Sequence, residues 1–368
     1  MQIKAAVARA VGAPLSFETL AIEEPRDTEI LVRVVATGIC HTDIAMRDQT
    51  YPVPQPIVLG HEGAGIVEQV GRSVTKVVPG DHVVMSFNFC ERCPNCREHQ
   101  PHYCEKYFDQ NFAGAREDGS SPLSRGGEKV HGNFFGQSSF ATHALCHQRN
   151  VVKVRSDIPL KLLGPLACGI QTGAGAVINS LQVGPGRSIA IFGLGTVGLS
   201  AVMAARLVGA ATIIGIDVHD NRLALASELG ATHVINAASE DSVAAVMDMT
   251  GRGVNFSFDS TGVAKVIRQA VDVLAHRGAC GIVGASKSGT EIALDAMHLM
   301  TAGRSIRGIV EGDAIPEIFI PQLIDLHLQG KFPFDRLVRF YDFEEINQAI
   351  EDTEAGRVIK PVICFTPG

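Results

Sequence analysis

Apolar and polar positions in the middle of the chain alternate in a way that predicts a sequence of elements. Residues 188–192 form a short apolar run, glycines follow in the spacing Gly-X-Gly-X-X-Gly at 193–198, and a helical pattern continues to about Val208. Gly209 interrupts the helical pattern, and a second apolar run ends at Asp217. This order of strand, glycine turn, helix, strand and acid predicts a dinucleotide-binding unit.

Beyond that unit, segments in which apolar residues recur with a helical period alternate with apolar runs typical of strands. Such regular alternation is typical of a parallel sheet with helices on both faces, so the fold class predicted is α/β, with a doubly wound Rossmann sheet over residues 171–310. The predicted helices span 222–229, 243–250 and 263–274, and the predicted strands span 230–236, 255–258 and 281–284.

Short extended runs separated by turns dominate the rest of the chain and predict a small β-barrel or sandwich. We assign residues 1–170 and 311–368 to this first domain, because the tail ends in another strand pattern at 360–365. The polar, glycine-rich residues 105–133 predict a long surface loop, and 160–180 predict a junction helix. The other extended patterns lie at 3–9, 15–20, 29–37, 66–84 and 139–154, and the tail has three further segments at 319–329, 337–340 and 344–354 before its final strand.

The three glycines of the turn have distinct physical tasks. Gly193 permits the tight turn, Gly195 lets the backbone approach a pyrophosphate, and Gly198 lets the helix pack closely on the strand. Thr196 and Val197 begin that helix, whose N-terminal N–H groups and dipole favour phosphate.

A carboxylate at the end of the second strand bears on the choice of cofactor. Asp217 follows Gly198 by 19 residues, close to the ~20 expected of an acid that binds the adenosine ribose hydroxyls. A carboxylate there repels a 2′-phosphate, which favours NAD over NADP. Arg222 lies near enough in sequence to modify that preference.

Composition narrows the classes of function. The 368 residues carry a net charge of −7 with no run of Lys or Arg, which excludes an extended nucleic-acid surface. The N-terminal residues show no signal-peptide pattern. The uncharged stretch 189–205 is predicted to be buried strand and helix and not a membrane span. We therefore expect a cytoplasmic protein, in which nine cysteines indicate metal binding or catalysis before disulfides.

Four of those cysteines form the clearest metal signal. Cys90, Cys93, Cys96 and Cys104 are spaced by 3, 3 and 8 residues, so their thiolates can converge on one tetrahedral ion. Four sulfur ligands leave no open position, and the site predicted is therefore a structural zinc that holds together a loop without a core of its own. Phe134 and Phe135, which follow this region, have two open interpretations: they face a substrate cleft or they pack in the core.

Several motifs occur in an order that resembles a known family. They are Cys-His-Thr-Asp at 40–43, Gly-His-Glu-Gly-Ala-Gly at 60–65, the four-cysteine loop, Cys-Gly-Ile-Gln-Thr-Gly at 168–173 and Gly-Leu-Gly-Thr-Val-Gly at 193–198. Together they resemble the zinc-dependent medium-chain alcohol dehydrogenases over essentially the whole chain. Residues 47–54, 134–142 and 330–334 are most similar to aryl (benzyl) alcohol dehydrogenases. The resemblance implies that the β-rich domain is a GroES-like catalytic barrel.

The resemblance implies a second, catalytic zinc held by Cys40, His61 and Cys168. Three protein ligands leave a fourth position for water or a substrate oxygen. Glu62 would lie behind the ion or exchange onto it, and Asp43 would orient His61.

The proton path departs in part from the family pattern. Thr42 matches the residue that accepts the alcohol proton, although its hydroxyl could instead only cap a turn. Many relatives have a histidine five residues after the first zinc cysteine, and this chain has Ala45. The proton would then leave by another route.

By the same resemblance several residues contact the cofactor. His41 and Lys360 would bind the pyrophosphate, although both could be ordinary surface charges, and Arg222 would lie near the adenosine ribose. The nicotinamide side would be lined by Thr172, Val283 and Gly284.

The implied function is reversible, NAD-dependent oxidation of primary aromatic or allylic alcohols to aldehydes by a homodimer or homotetramer. Benzyl alcohol is the first candidate, and terpenoid alcohols such as geraniol or perillyl alcohol come next. Glutathione-dependent formaldehyde oxidation is an alternative, but no clear basic patch for glutathione is evident. An inactive or quinone-binding relative is a further alternative; such relatives typically lose zinc ligands, and all seven are present here.

Overall fold

The computed structural model describes residues 1–365, and the last three residues of the predicted first domain, 366–368, lie outside this description. Within the described residues the chain forms eighteen strands and eleven α-helices. The strands are β1 (Gln2–Ala8), β2 (Ser16–Ile22), β3 (Glu29–Gly38), β4 (Ile57–Val58), β5 (Glu62–Val70), β6 (His82–Met85), β7 (Leu123–Arg125), β8 (Glu128–Val130), β9 (His143–His147), β10 (Val151–Lys153), β11 (Ser188–Phe192), β12 (Thr212–Asp217), β13 (His233–Asn236), β14 (Val254–Asp259), β15 (Leu274–Ile282), β16 (Ser305–Gly308), β17 (Val338–Asp342) and β18 (Lys360–Cys364).

Eleven α-helices lie between these strands, and several of the connections contain short 3₁₀ turns. Residues Ala176–Ser180 form one π-helical turn at the end of α4. The helices are α1 (His41–Arg47), α2 (Pro94–Arg97), α3 (Tyr107–Phe112), α4 (Gly169–Gly175), α5 (Thr196–Leu207), α6 (Asp220–Leu229), α7 (Ser242–Thr250), α8 (Ala264–Asp272), α9 (Ala296–Ala302), α10 (Pro316–Leu328) and α11 (Ile346–Glu354).

The chain divides into two compact units. The first comprises Met1–Cys168, Ile315–Gln322 and the described part of Asp335–Gly368, and the second comprises Gly169–Ala314 and Leu323–Phe334. This division differs from the predicted domains chiefly at Leu323–Phe334, which the sequence placed in the first domain. Leu323 and Ile324 are buried, and the boundary falls inside α10.

Two sheets build the first unit. One has five strands in the order β4-β1-β2-β7-β8, and the other has the order β10-β6-β5-β3-β18-β17 with β9 also paired to β3. The C-terminal strand β18 runs antiparallel to β3, which brings the end of the chain next to the segment that enters α1. A buried cluster that includes Ile39, Ile44, Phe134 and Phe140 packs behind this segment, so the sequence after β3 is held against a rigid core.

A six-stranded parallel sheet forms the second unit, with the strand order β13-β12-β11-β14-β15-β16. In sequence terms this is 3-2-1-4-5-6, the doubly wound order, and the predicted fold class is confirmed. The order reverses at β11, so the loops after β11 and β14 separate at the carboxyl edge of the sheet. Ligands of such sheets bind at this switch point.

One predicted loop is more ordered than its composition indicates. Residues 105–133 contain α3 and the hairpin of β7 and β8, so the prediction of an irregular surface loop is wrong. The side chain of Asn111 explains the helix: it is buried, its amide donates to the backbone oxygens of Asn88 and Tyr107, and its Oδ1 accepts from Asn88 N. Apolar contacts also hold this segment: Phe112 packs edge-on against Phe134 and Phe135, and Leu123 and Val130 of the hairpin are buried.

No helix within residues 1–365 is both long enough and apolar enough to cross a membrane.

Candidate active site

One buried carboxylate joins two separate segments of the first unit. Asp43 lies in the first turn of α1, where its Oδ2 accepts from Cys40 N at 2.9 Å, and its Oδ1 accepts from Gly60 N at 3.0 Å. The same Oδ1 is 2.9 Å from His61 Nδ1. A carboxylate so placed favours the His61 tautomer with hydrogen on Nδ1, which leaves Nε2 with a lone pair for a metal.

Cys168 reaches His61 from a distant part of the chain. Its Sγ is 3.3 Å from His61 Nε2. The preceding turn, Gly164–Ala167, lies so close to β5 that a Cβ on Gly164 would overlap the backbone oxygen of Glu62. Ser86 Oγ donates to the Ala167 oxygen at 2.8 Å and so anchors the turn from β6.

The four side chains of Cys40, His61, Glu62 and Cys168 offer ligand atoms that all lie within 4.8 Å of one another. Tetrahedral zinc with Zn–S near 2.3 Å needs sulfur atoms roughly 3.8 Å apart, so this spacing fits an ion. The hydrogen bond from Cys168 and the neighbouring His61 lower the pKa of the Cys40 thiol well below its ordinary value, against the effect of burial. A thiolate is the form that binds metal.

Behind this cluster Lys360 and Glu62 form a buried ion pair. Lys360 Nζ is 2.8 and 2.9 Å from the two Glu62 carboxylate oxygens and donates to the Ile39 backbone oxygen at 2.9 Å. The Lys360 side chain is 2% exposed, and the three acceptors use all the donors that an ammonium has. The sequence predicted a pyrophosphate contact for Lys360; in the structure its donors are occupied inside the first unit.

The Glu62 carboxylate is also buried. Burial raises its pKa, whereas the charge of Lys360 lowers it. Because Lys360 neutralises the carboxylate, Glu62 lies beside the cluster without adding a full negative charge to it.

Two other predicted residues lie on α1. Thr42 is half-buried with its Oγ1 3.7 Å from Cys40 Sγ, so its hydroxyl is next to the candidate metal position. His41, the first residue of the helix, is exposed.

An aromatic pair and an amide complete the surroundings of His61; the sequence left two interpretations open for Phe134 and Phe135 and did not single out Gln137. The ring of Phe135 stacks on His61 with centroids 4.5 Å apart, and Phe134 contacts it edge-on at 5.8 Å. Both rings are buried, at 4% and 0% exposure, which favours the core interpretation. Gln137 Nε2 donates to the His61 backbone oxygen at 3.0 Å. A single Phe or Gln in a sequence does not indicate that its side chain contacts a particular histidine in the folded chain.

The four-cysteine cluster lies elsewhere in the first unit. Its sulfur atoms are all within 4.8 Å of one another, with Cys90 Sγ and Cys96 Sγ 4.0 Å apart. Backbone N–H groups point at the sulfurs: Cys93 N donates to Cys90 Sγ, and Cys90 N donates to Cys104 Sγ, both at 3.3 Å. Although desolvation raises the pKa of Cys93, backbone N–H donors lower it to about 6. Four converging thiols with such donors fit a closed zinc site.

The predicted cofactor residues of the second unit meet at the carboxyl edge of its sheet. Phe192 of β11 pairs with Ile216 of β12 and with Asp259 of β14, so the glycine turn and Asp217 emerge side by side. Gly193 has φ +86°, and a Cβ there would lie 2.7 Å from Ser260 Oγ. A Cβ on Gly195 would meet nothing within 4 Å among the described residues, which leaves space for a pyrophosphate above the α5 N-terminus.

The Asp217 carboxylate is held by three backbone N–H groups. Its Oδ2 accepts from Leu194 N at 2.7 Å, and its Oδ1 accepts from Val218 N and His219 N at 2.8 and 3.0 Å. Arg222 Nη1 is 3.7 Å from Asp217. Arg222 Nε is buried with no hydrogen-bond partner in the described part of the chain, which fits a polar group such as an adenosine ribose at this position.

The remaining predicted residues flank the same edge. Val283 N and Gly284 N both donate to the Asp259 backbone oxygen, at 2.9 and 3.1 Å. Thr172 on α4 is 7% exposed, and its Oγ1 donates to Glu311 Oε2 at 3.3 Å. Glu311 was not singled out from the sequence, because the segment that contains it matches no motif.

Known proteins match the chain in both units. Residues 26–156 match the family described as "Alcohol dehydrogenase GroES-like domain", and residues 196–328 match "Zinc-binding dehydrogenase". The geraniol dehydrogenase of Castellaniella defragrans is 49% identical over 98% of this chain and 97% of its own length.

Solved structures give the same result at the level of the fold. An alcohol dehydrogenase zinc-binding domain protein from Burkholderia ambifaria has a TM-score of 0.98 at 54% identity, and the benzyl alcohol dehydrogenase of Acinetobacter calcoaceticus has a TM-score of 0.97 at 49% identity. Each alignment covers all of both chains. The converging zinc-type ligands, the dinucleotide sheet and these matches agree, and the chain belongs to the family of zinc-dependent medium-chain alcohol dehydrogenases.

Proposed function

We propose that this enzyme oxidises primary alcohols with an aromatic or allylic group beside the carbinol carbon to the aldehydes, with NAD as hydride acceptor. The observation that carries the proposal is the convergence of Cys40, His61 and Cys168, with Thr42 beside them. The substrate class is supported by two relatives at 49% identity, one named for geraniol and the other for benzyl alcohol. Both alcohols carry unsaturation next to the reacting carbon.

The first unit is the catalytic domain in this proposal. A zinc ion held by Cys40, His61 and Cys168 supplies a Lewis acid that lowers the pKa of the alcohol towards neutrality. The two thiolates offset the formal charge of the ion, and Asp43 keeps the His61 imidazole oriented through Nδ1. Thr42 Oγ1 accepts the hydroxyl proton of the substrate and passes it outward. Ala45 provides no second relay group, so the next acceptor is solvent or the cofactor ribose.

In the second unit, NAD supplies the hydride-accepting ring and the protein supplies its position. We assign the pyrophosphate to the turn 193–198, the ribose to Asp217 and Arg222, and the nicotinamide to Thr172, Val283 and Gly284. His41 is the candidate phosphate contact on the first unit. The four-cysteine cluster would hold a second zinc; because four sulfur ligands leave no open position, that ion would stabilise structure only.

Substrate preference tests the proposal directly. Burial of a phenyl group contributes about 2–3 kcal/mol, so kcat/KM with NAD for benzyl alcohol is expected to exceed that for ethanol by at least about tenfold. Cinnamyl alcohol and geraniol are expected to resemble benzyl alcohol, and cyclohexylmethanol controls for bulk without unsaturation. Equal values for ethanol and benzyl alcohol would contradict the proposed class, and fewer than two zinc ions per chain would contradict the zinc assignment.

The cofactor preference depends on Asp217. The change Asp217→Gly removes the carboxylate that repels a 2′-phosphate, and like-charge contacts of this kind cost several kcal/mol. We expect the ratio of kcat/KM with NAD to that with NADP to fall by at least about tenfold. Asp220→Gly, an exposed acid three residues further on at the start of α6, is the control and should leave the ratio unchanged. An unchanged ratio in Asp217→Gly would mean that the ribose contact is elsewhere.

We also propose a homodimer or homotetramer in the cytoplasm. Strand β16 is the edge of the six-stranded sheet, and its residues Ser305, Arg307 and Gly308 are exposed, so a second copy could extend the sheet. No cysteine within residues 1–365 is in a disulfide, which is consistent with a reducing compartment.

A further inference from the structure

A carboxylate outside both cysteine-containing clusters is buried next to the predicted nicotinamide side. Glu311 is 8% exposed. Its Oε2 accepts from Gln171 Nε2 at 3.2 Å and from Thr172 Oγ1 at 3.3 Å. Hydrogen bonds donated to a carboxylate favour its charged form, so Gln171 and Thr172 supply two donors that stabilise a carboxylate at this position in the second unit.

The backbone around Glu311 is strained and firmly held. Glu311, Gly312 and Asp313 have φ values of +51°, +68° and +49°, and a left-handed residue other than glycine costs about 1–2 kcal/mol. Asn179 Nδ2 donates to the Gly312 oxygen at 3.2 Å, and Arg307 pairs with Asp313 at 2.6 Å. Strain that is maintained by several contacts is a feature of functional sites.

The turn also lies against a second segment assigned to the nicotinamide. Ile309, two residues before Glu311, donates its N–H to the Ile282 oxygen at 2.9 Å, and Val283 follows directly. Helix α4 packs closely on the start of α5, because a Cβ on Gly169 of α4 would lie 3.1 Å from Thr196 Cγ2. Thr172 is on the same helix, three residues later. Glu311 therefore contacts Thr172 and belongs to the segment that follows β16, the strand paired with the end of β15 that precedes Val283.

We propose that Glu311 is a positioning residue that holds Thr172 at the nicotinamide and that its charge favours the oxidised cofactor over the reduced one. This rests on the proposed function, because it takes Thr172 as a neighbour of the ring. The oxidised nicotinamide carries a positive charge and the reduced ring is neutral. A carboxylate nearby therefore strengthens binding of NAD but has no comparable effect on NADH.

The test compares the affinities of the zinc-loaded, full-length enzyme and its Glu311→Gln variant for NAD and NADH. Loss of the charge is expected to raise Kd for NAD by about tenfold, as a single charge at several ångströms would, while Kd for NADH changes by less than about twofold. Calorimetry for NAD and NADH fluorescence for the reduced form give both values. Glu311→Met covers the case in which the amide variant fails to fold; it removes the oxygen that accepts from Thr172 as well as the charge, so Kd should rise for both cofactors, and more for NAD than for NADH.

One control separates a charge effect from a structural one. Thr172→Val removes the hydroxyl but keeps the carboxylate, so it should weaken NAD and NADH by similar factors. Equal changes in both affinities for Glu311→Gln, or no change in either, would overturn the inference while the proposed function stands. A wild-type protein that binds neither NAD nor NADH would overturn the proposed function itself.

Discussion

The change Cys168→Ser is expected to lower kcat/KM for alcohol oxidation by at least about a thousandfold. Cys168 Sγ is 3.3 Å from His61 Nε2 and within the cluster of candidate ligands, so its loss removes one of three ligands. A bound metal contributes several kcal/mol to the transition state, and each 1.36 kcal/mol is about tenfold in rate. Steady-state kinetics with benzyl alcohol and zinc analysis measure the effect.

Cys364→Ser is the matched control for this substitution. Cys364 is also a half-buried cysteine of the first unit, but it belongs to neither cluster of candidate ligands, and its replacement should leave zinc content and kinetics nearly unchanged. NAD affinity should be preserved in both variants, because the dinucleotide sheet lies in the second unit. Near-normal turnover in Cys168→Ser would contradict the assignment of the catalytic metal.

The change Cys93→Ser is expected to affect stability more than chemistry. Structural zinc sites contribute about 10–16 kcal/mol of apparent binding free energy in zinc-finger peptides. A loss of only several kcal/mol would lower Tm by about 10 °C, since 1 kcal/mol corresponds to roughly 2–4 °C in domains of 150–250 residues. Differential scanning calorimetry and zinc analysis check the result, with one zinc per chain expected to remain.

The control for the second substitution is Cys146→Ser. Cys146 is a buried thiol 3.7 Å from the Ile30 backbone oxygen, and a serine hydroxyl can use the same acceptor. We expect a drop in Tm smaller than half of that in Cys93→Ser. Two zinc ions and an unchanged Tm in Cys93→Ser would rule out the closed four-cysteine site.

The different effects expected of the two substitutions follow from the number of sulfur donors in each cluster. Four thiols with inward N–H groups satisfy an ion completely, whereas two thiols and one imidazole leave a position that a substrate oxygen can take. The ion pair between Lys360 and Glu62 reinforces this difference, because it keeps the nearby carboxylate neutralised. Both clusters lie in the first unit, so measurements of the thermal stability or protease resistance of that unit are sensitive to the loss of either metal site.

Local patterns determined a large part of the protein. The strand at Ser188–Phe192 and the end of the next strand at Asp217 were predicted at their observed bounds, because glycines and apolar periods act over a few neighbouring residues. The spacing of Cys90, Cys93, Cys96 and Cys104 identified a metal cluster for the same reason. The convergence of Cys40, His61 and Cys168 came from family resemblance, since no spacing rule connects residues so far apart.

Tertiary structure alone decided what surrounds those residues. It placed Lys360 in a buried pair with Glu62, stacked Phe135 on His61 and set the strained Glu311 under Thr172. Residues 105–133 folded into a helix and a hairpin through the buried polar contacts of Asn111 and through apolar contacts with residues distant in sequence, such as those of Phe112 with Phe134 and Phe135. The physical reason is common to all of these cases: a sequence pattern records which neighbours along the chain are apolar, whereas a buried charge or a stacked ring is defined by partners that only the folded chain brings within contact distance.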